Sequence, residues 1–155
     1  MVELNIGDNA PEIITTVNDE KKNWTTDFEG KKILLFFYPK DNTPGCTAEA
    51  CNLRDNYNAF IEKGYQIVGV SPDSEEQHKK FSEKFQLPFL LIPDTEKEIL
   101  QAYGAWGEKK MYGKTSIGVK RSTFLISEER KIEKIFKTVK TKEHSEQIFK
   151  SLKTI

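Results

Sequence analysis

The sequence predicts a three-layer α/β domain, and two features of its hydrophobic pattern support that prediction. Residues 33–38 and 65–70 are short apolar runs with the length and side-chain types of buried strands. Between them, apolar residues recur at spacings of three and four, the pattern of an amphipathic helix. A strand, a helix and a strand in this order predict a parallel pair with a right-handed crossover. We therefore expect a central sheet packed between layers of helices.

The first 32 residues contain only short predicted elements. A turn at residues 7–11 leads into a short strand at 12–17, and the polar stretch 18–22 is typical of a turn. Residues 24–28, which are followed by Gly30, form either a short strand or one helical turn.

The second half of the chain continues the alternation of strands and helices. The predicted elements are a helix at 75–85 capped by Ser74, a strand at 89–92, a short helix at 94–103, a long loop at 104–120, an antiparallel hairpin of strands 122–126 and 131–137, and a closing helix at 142–153.

Size and charge exclude several classes of function. A chain of 155 residues suits one domain, which we assign to residues 1–155. The 24 Lys and Arg residues balance the 24 Asp and Glu residues, so no net field attracts nucleic acid or an anionic membrane, and we expect a monomer. No apolar run approaches the roughly 20 residues of a membrane span. Residues 1–8 lack a secretory signal, which favours the cytoplasm, where permanent disulfides are rare.

Both cysteines lie in the helix predicted after the first buried strand. Thr43 and Pro44 suit the N-cap and the first position of that helix. Cys46 then lies in the first turn, where free backbone N–H groups and the helix dipole favour a thiolate. The same position also suits a small buried residue between helix and strand, so the residues alone leave both interpretations open.

The spacing of Cys46 and Cys51 makes a geometric prediction. Five residues of helix place their Cα atoms ~8–9 Å apart and the side chains about 140° apart around the axis. A disulfide needs Cα atoms within ~7 Å of each other. The two thiols therefore cannot bond unless the first turns of the helix unwind.

Other candidate residues are less specific. A structural zinc site needs four ligands, and the two histidines, His78 and His144, fall in separate helices, so we predict no metal site and two solvated histidines. Arg121 precedes a predicted strand. Its guanidinium either enters a site at the strand ends or is a surface charge beside Lys120.

Several motifs resemble those of the peroxiredoxins, and within them the bacterioferritin-comigratory (PrxQ) group. The pattern Pro39-x-x-x-Thr43-x-x-Cys46 is the family's active-site motif, and Ala50-Cys51 with residues 53–55 extends it. Residues 103–109 and 121–126 are similar to the family's loop and to its arginine-bearing strand. The departures are a missing glycine in the turn at 18–22 and Ser127–Arg130 in place of an Asp-Gly turn.

The resemblance implies a thioredoxin-like fold with a central mixed sheet, and a thiol peroxidase without a cofactor. Its substrates would be hydrogen peroxide and organic hydroperoxides, and its reductant a thioredoxin-type protein. The implied site consists of Cys46 as peroxidatic cysteine, Cys51 as resolving cysteine, Thr43 and Arg121 holding the peroxide and the thiolate, Pro39 shielding the pocket, and Glu49 orienting Arg121.

Two other functions compete with this one. A thioredoxin-like disulfide reductase would need a Cys-x-x-Cys pair, which the chain lacks. A non-enzymatic thioredoxin-fold binding module would keep both cysteines inert.

Overall fold

The computed structural model describes residues 3–17, 20–111 and 113–153, which alternate between strands and helices along the chain. The strands are β1 (Ile14–Val17), β2 (Glu20–Asn23), β3 (Lys32–Phe37), β4 (Tyr65–Ser71), β5 (Leu90–Pro93), β6 (Trp106–Met111), β7 (Lys114–Val119), β8 (Ser122–Ile126) and β9 (Ile132–Phe136). The helices are α1 (Trp24–Asp27), α2 (Pro44–Asp55), α3 (Tyr57–Glu62), α4 (Glu75–Phe85), α5 (Glu98–Ala102) and α6 (His144–Lys153).

Five strands form the central sheet in the order β5-β4-β3-β8-β9. The three strands β3, β4 and β5 are parallel, whereas β8 and β9 are antiparallel to their neighbours. The mixed sheet and the parallel β3–β4 pair predicted from the sequence are therefore confirmed. The assignment of residues 1–155 to one domain stays a prediction.

Side chains alternate between the two faces of β3, which is the middle strand of the sheet. Ile33, Leu35 and Phe37 join one apolar cluster, in which α5 supplies Ile99 and Leu100. Leu34, Phe36 and Tyr38 join the other, which contains apolar side chains of α2, α3, α4 and α6. Because both faces of β3 are buried, its sequence is a continuous apolar run, which is why the sequence identified it so clearly.

Helices α2 and α6 are tied together at the start of α6. The Ser145 N–H donates to Asn52 Oδ1 over 2.7 Å, and the Ser145 hydroxyl donates to the Asn52 carbonyl over 3.1 Å. The Asn52 side-chain amide also donates to the Lys142 carbonyl over 3.0 Å. Asn52 thus satisfies one of the free N–H groups of the first turn of α6.

Three sequence predictions are corrected here. The polar stretch 18–22 contributes to β2 in its described part, rather than forming only a turn. The helix after Thr43 is interrupted at Asn56, although the apolar stripe continues across the break to the buried Phe60. The predicted loop 104–120 contains the β6–β7 hairpin, which turns near Gly113 at φ 77°.

The sequence did not predict the β6–β7 hairpin, and the reason is physical. Most of β7 is exposed, and charged residues such as Lys109 and Lys110 interrupt β6. A strand whose side chains are mostly exposed needs no apolar alternation, and alternation is the signal by which sequence identifies strands. In the part of the chain that the structure describes, no helix is long and apolar enough to cross a membrane.

Candidate active site

Cys46 lies in the first turn of α2, as predicted. Thr43 is the N-cap and Pro44 the first helical residue, and the first backbone bond of the helix runs from Thr47 N–H to the Thr43 carbonyl over 2.8 Å. The N–H of Cys46 precedes this bond, so it belongs to the free donors of the helix start. The thiol is free and only 2% exposed, and it packs in the cluster that contains Tyr38 and Ala50.

Arg121 reaches Cys46 from the segment between β7 and β8. Its Nη2 donates to Cys46 Sγ over 3.2 Å, and its Nη1 donates to Glu49 Oε1 over 2.6 Å. A Cβ atom at Gly45 would lie 3.3 Å from the same Nη2, so the missing side chain leaves room for the guanidinium. Of the two interpretations of Arg121, the structure supports the one that places it in a site.

The guanidinium stays charged in this position. Burial lowers the pKa of Arg121, but the charges of Glu49 and Cys46 outweigh that effect and raise it above its ordinary value. A permanent cation that donates to sulfur stabilises the thiolate over the thiol.

Glu49 lies on the same face of α2 as Cys46, three residues further on, and is completely buried. Its Oε1 pairs with Arg121, whereas its Oε2 has no hydrogen-bond partner among the described residues. Burial raises the pKa of Glu49 from 4.5 to about 7, although the charge of Arg121 and its hydrogen bond oppose the shift.

His144 completes this group from the start of α6. Its Nε2 lies 2.7 Å from Thr123 Oγ1 and 3.8 Å from Glu49 Oε2, and its Nδ1 lies 3.0 Å from Gln147 Oε1. Burial lowers the pKa of His144 below its ordinary value, despite the hydrogen bond to Gln147. We call Cys46, Glu49, Arg121, Thr123 and His144 the Cys46 site.

A second buried polar group contains the other histidine. We call it the His78 cluster, and its members are Tyr38, Asp41, Ser71, Asp73 and His78. His78 Nδ1 lies 2.6 Å from Asp41 Oδ2 and its Nε2 lies 3.0 Å from the Ile92 carbonyl, while Tyr38 donates to Asp41 Oδ1 over 2.6 Å. Asp73 accepts from the Asp41 N–H and from the Ser71 hydroxyl, both over 2.7 Å.

The prediction of two solvated histidines is therefore wrong, since His78 is 4% exposed and His144 is completely buried. The sequence contained a signal that both histidines are buried. His78 precedes Phe81 by three residues, and His144 precedes Ile148 by four, so each lies on the apolar face of its own helix. A histidine on such a face is buried wherever the fold supplies partners for its nitrogens.

The His78 cluster also gathers three possible metal ligands that the sequence analysis did not connect. One ligand atom each of Asp41, Asp73 and His78 lies within 4.8 Å of the others. These side chains already hydrogen-bond to one another or to neighbouring groups, which leaves the cluster satisfied without an ion. We propose no metal there.

The remaining predicted site residues are Thr43, Pro39 and Cys51. The Thr43 hydroxyl donates to the Lys40 carbonyl over 2.8 Å rather than to the thiol, and Pro39 is half-buried just beyond β3. Cys51 is free and half-buried. Helix α2 is continuous from Pro44 to Asp55, so the two cysteines lie in the unbonded helical geometry that their spacing predicts.

Comparisons with known proteins agree on one family. The model of the AhpC/TSA family matches residues 6–135. The chain is 45% identical to peroxiredoxin Bcp of Bacillus subtilis over 150 residues, 97% of this chain and 96% of that protein. It is 40% identical to peroxiredoxin Bcp of Escherichia coli K12 over 153 residues, 99% and 98% of the two chains.

Solved structures give the same result. A Cys-to-Ser mutant of PrxQ from Xylella fastidiosa superimposes with a TM-score of 0.82 at 32% identity, covering 97% of this chain and 96% of that one. Peroxidoxin BcpB from Mycobacterium tuberculosis superimposes with a TM-score of 0.81 at 28% identity, covering 97% of each chain.

Proposed function

The chain belongs to the AhpC/TSA family and is a thiol peroxidase of the Bcp/PrxQ peroxiredoxins, and we propose that Cys46 is the thiol that attacks the peroxide. The observation that supports this assignment best is the hydrogen bond from Arg121 Nη2 to Cys46 Sγ over 3.2 Å. It gives a buried sulfur a permanent cation, which is what a reactive thiolate requires.

In the first step, the Cys46 thiolate attacks the nearer oxygen of the hydroperoxide. An S–O bond forms, the O–O bond breaks, and Cys46 becomes a sulfenic acid. Negative charge moves to the leaving oxygen, to which the Arg121 guanidinium and the Cys46 N–H would donate. The Thr43 hydroxyl would exchange its bond to the Lys40 carbonyl for one to the peroxide, and Pro39 would limit access of water.

In the second step, Cys51 attacks the sulfenic sulfur and water leaves. This step requires α2 to open, because an intact helix holds the two Cα atoms ~8–9 Å apart. The bonds that Asn52 makes to the start of α6 must then break or rearrange. A thioredoxin-type reductant restores both thiols by disulfide exchange.

Three further parts of the proposal come from the sequence. Its balanced charge favours a monomer that binds neither nucleic acid nor a membrane surface, and the cysteine usage favours the cytoplasm. The family's chemistry uses the protein thiols alone, so we expect no cofactor.

Intact-mass measurement after addition of one equivalent of hydrogen peroxide tests the proposal. Rapid loss of two hydrogens, abolished in Cys46→Ser, is the expected result. The Cys51→Ser variant should gain one oxygen instead, and excess peroxide without reductant should carry its Cys46 on to the sulfinic acid. No rapid change in the wild-type mass would contradict the peroxidase assignment and favour the binding module.

The disulfide reductase has less support than the peroxidase. Its two thiols would have to exchange with little movement, whereas Cys46 and Cys51 are five residues apart on one continuous helix. The Arg121 and Glu49 pair beside Cys46 also has no evident use in that reaction.

A further inference from the structure

We propose that Glu49 and Cys46 share one proton across Arg121: Glu49 holds it while Cys46 is a thiolate, and releases it when the peroxide is reduced. This inference rests on the proposed role of Cys46 as the attacking thiol. It gives Glu49 a function beyond orienting Arg121, since its carboxyl group would compensate each change of charge at sulfur.

The balance of charge in the Cys46 site favours one shared proton. Arg121 contacts both acidic groups, with Nη1 on Glu49 and Nη2 on Cys46. Two anions and one cation would leave an uncompensated negative charge among buried side chains, which is strongly unfavourable. If one proton is shared by Glu49 and Cys46, a single ion pair with Arg121 remains.

The orientation of the Gln147 side chain determines which nitrogen of His144 carries a hydrogen. Gln147 Nε2 donates to the Thr138 carbonyl over 2.7 Å, and Gln147 Oε1 accepts from the Lys140 N–H over 3.2 Å. These two bonds determine that an oxygen, rather than an amide nitrogen, faces His144 Nδ1 at 3.0 Å. His144 Nδ1 must therefore carry a hydrogen and donate it.

The other nitrogen of this neutral ring then carries a lone pair. Thr123 Oγ1, 2.7 Å away, donates its hydrogen to His144 Nε2. Glu49 Oε2 lies 3.8 Å from the same nitrogen and meets no donor among the described residues. An ionised Glu49 would thus bury an unpaired, charged oxygen 3.8 Å from a lone pair, whereas protonation of Oε2 removes that charge.

The groups that face Glu49 agree with this assignment. Arg121 approaches from the segment between β7 and β8, His144 from α6, and Cys46 from its own helix. Only Arg121 favours ionised Glu49, and burial outweighs it, so the pKa of Glu49 rises to about 7.

The proposed step balances in atoms and charge. The Cys46 thiolate, the Glu49 carboxylic acid and ROOH become the Cys46 sulfenic acid, the Glu49 carboxylate and ROH. Sulfur loses two electrons, the O–O bond gains them, and the leaving alkoxide takes up one proton while Glu49 loses one, directly or through water. The negative charge moves from sulfur to carboxylate, and Arg121 pairs with it before and after.

Proton counting during one turnover tests the inference. Wild-type protein and Glu49→Gln are mixed with one equivalent of hydrogen peroxide at about pH 7.5 in weak buffer containing an indicator dye, while ultraviolet absorbance follows the thiolate. This pH lies above the pKa of about 7 at which Glu49 releases its proton. We expect no net proton uptake in the wild type and one proton per thiolate lost in Glu49→Gln. Uptake of one proton per thiolate by the wild type would overturn the inference. Glu62→Gln, an exposed carboxylate on α3, is the matched control and should behave as the wild type does.

Infrared difference spectroscopy provides a second readout that does not depend on the variant keeping its thiolate. A C=O band of a protonated carboxyl group should vanish when peroxide is added to the wild type and be missing from Glu49→Gln. A wild type without that band would overturn the inference. If Cys46 does not react at all and no disulfide forms, the proposed function itself fails, which distinguishes the two results.

Discussion

The Cys46 site and the His78 cluster both include residues that come soon after the carboxyl end of β3 in the chain. Each also contains a buried histidine beside a carboxylate. They differ in how completely their polar atoms are paired. In the described residues, the buried side-chain nitrogen or oxygen atoms without a partner are Trp24 Nε1 and Glu49 Oε2, and none of these lies in the His78 cluster. The Cys46 site also contains the permanent cation Arg121.

We propose that this difference separates a structural network from a reactive one. A fully paired buried network rigidifies the fold, and the His78 cluster joins the loop after β3 to α4 and to the end of β5. An unpaired buried polar atom is unfavourable for stability, and a catalytic role is one reason for which such an atom is retained. The predictions below test whether the His78 cluster serves stability and the Cys46 site serves reactivity.

The largest effect is expected from Arg121→Met. Loss of the guanidinium removes the donor that we propose stabilises both the thiolate and the leaving oxygen. The rate of Cys46 with hydrogen peroxide should fall about 10²–10³-fold, as when one donor to a developing anion is deleted. Stopped-flow fluorescence measures this rate, and the neighbouring Lys120→Met is the control. An unchanged rate in Arg121→Met would remove Arg121 from the reactive site.

The pH dependence of stability should differ between wild type and Glu49→Gln. Because the pKa of Glu49 is raised in the folded state from 4.5 to about 7, its stabilising effect is complete below pH 4.5 and is lost as the pH rises through about 7. The free energy of unfolding of the wild type should therefore fall by about 2 to 3 kcal/mol relative to that of Glu49→Gln between pH 5 and pH 8. Denaturant unfolding in a Cys46→Ser background measures it without interference from the thiol. The difference in free energy of unfolding between the wild type and the exposed variant Glu62→Gln should not change with pH.

His78→Phe should have the opposite profile to Arg121→Met. It leaves Asp41 Oδ2 and the Ile92 carbonyl without their buried partner. The free energy of unfolding should fall by about 2 kcal/mol, while the peroxide rate changes less than threefold. A large loss of rate without loss of stability would show that the His78 cluster belongs to the reactive site after all.

The smallest effect is expected from Asn52→Ala, which removes the hydrogen bonds of the Asn52 side chain to the start of α6. Opening of α2 should become easier by about 1 kcal/mol, so the Cys46–Cys51 disulfide should form about fivefold faster. The rate of the preceding peroxide step should not change. Asn58→Ala, on the exposed side of α3, is the control, and equal disulfide rates in both variants would exclude a role for the α2–α6 contact.

The sequence by itself determined the features that depend on local pattern. The apolar run of β3 identified the middle of the sheet, and Thr43 with Pro44 placed the start of α2 within one residue. Helical periodicity then put Cys46 on the core side of the first turn and kept Cys51 out of bonding distance. These features follow from neighbours within one or two turns of chain, so no knowledge of packing was needed.

Only the tertiary structure decided the chemistry around Cys46. Arg121 lies 75 residues further along the chain than Cys46, so the residue pattern alone left two interpretations of it open. The family resemblance implied a place in the site, and the structure puts its Nη2 3.2 Å from Cys46 Sγ. The burial of His144 and the unpaired oxygen of Glu49 arise where α2, β8 and α6 meet. Desolvation and pairing belong to the assembled core, because a side chain loses its water only when elements distant in sequence close around it.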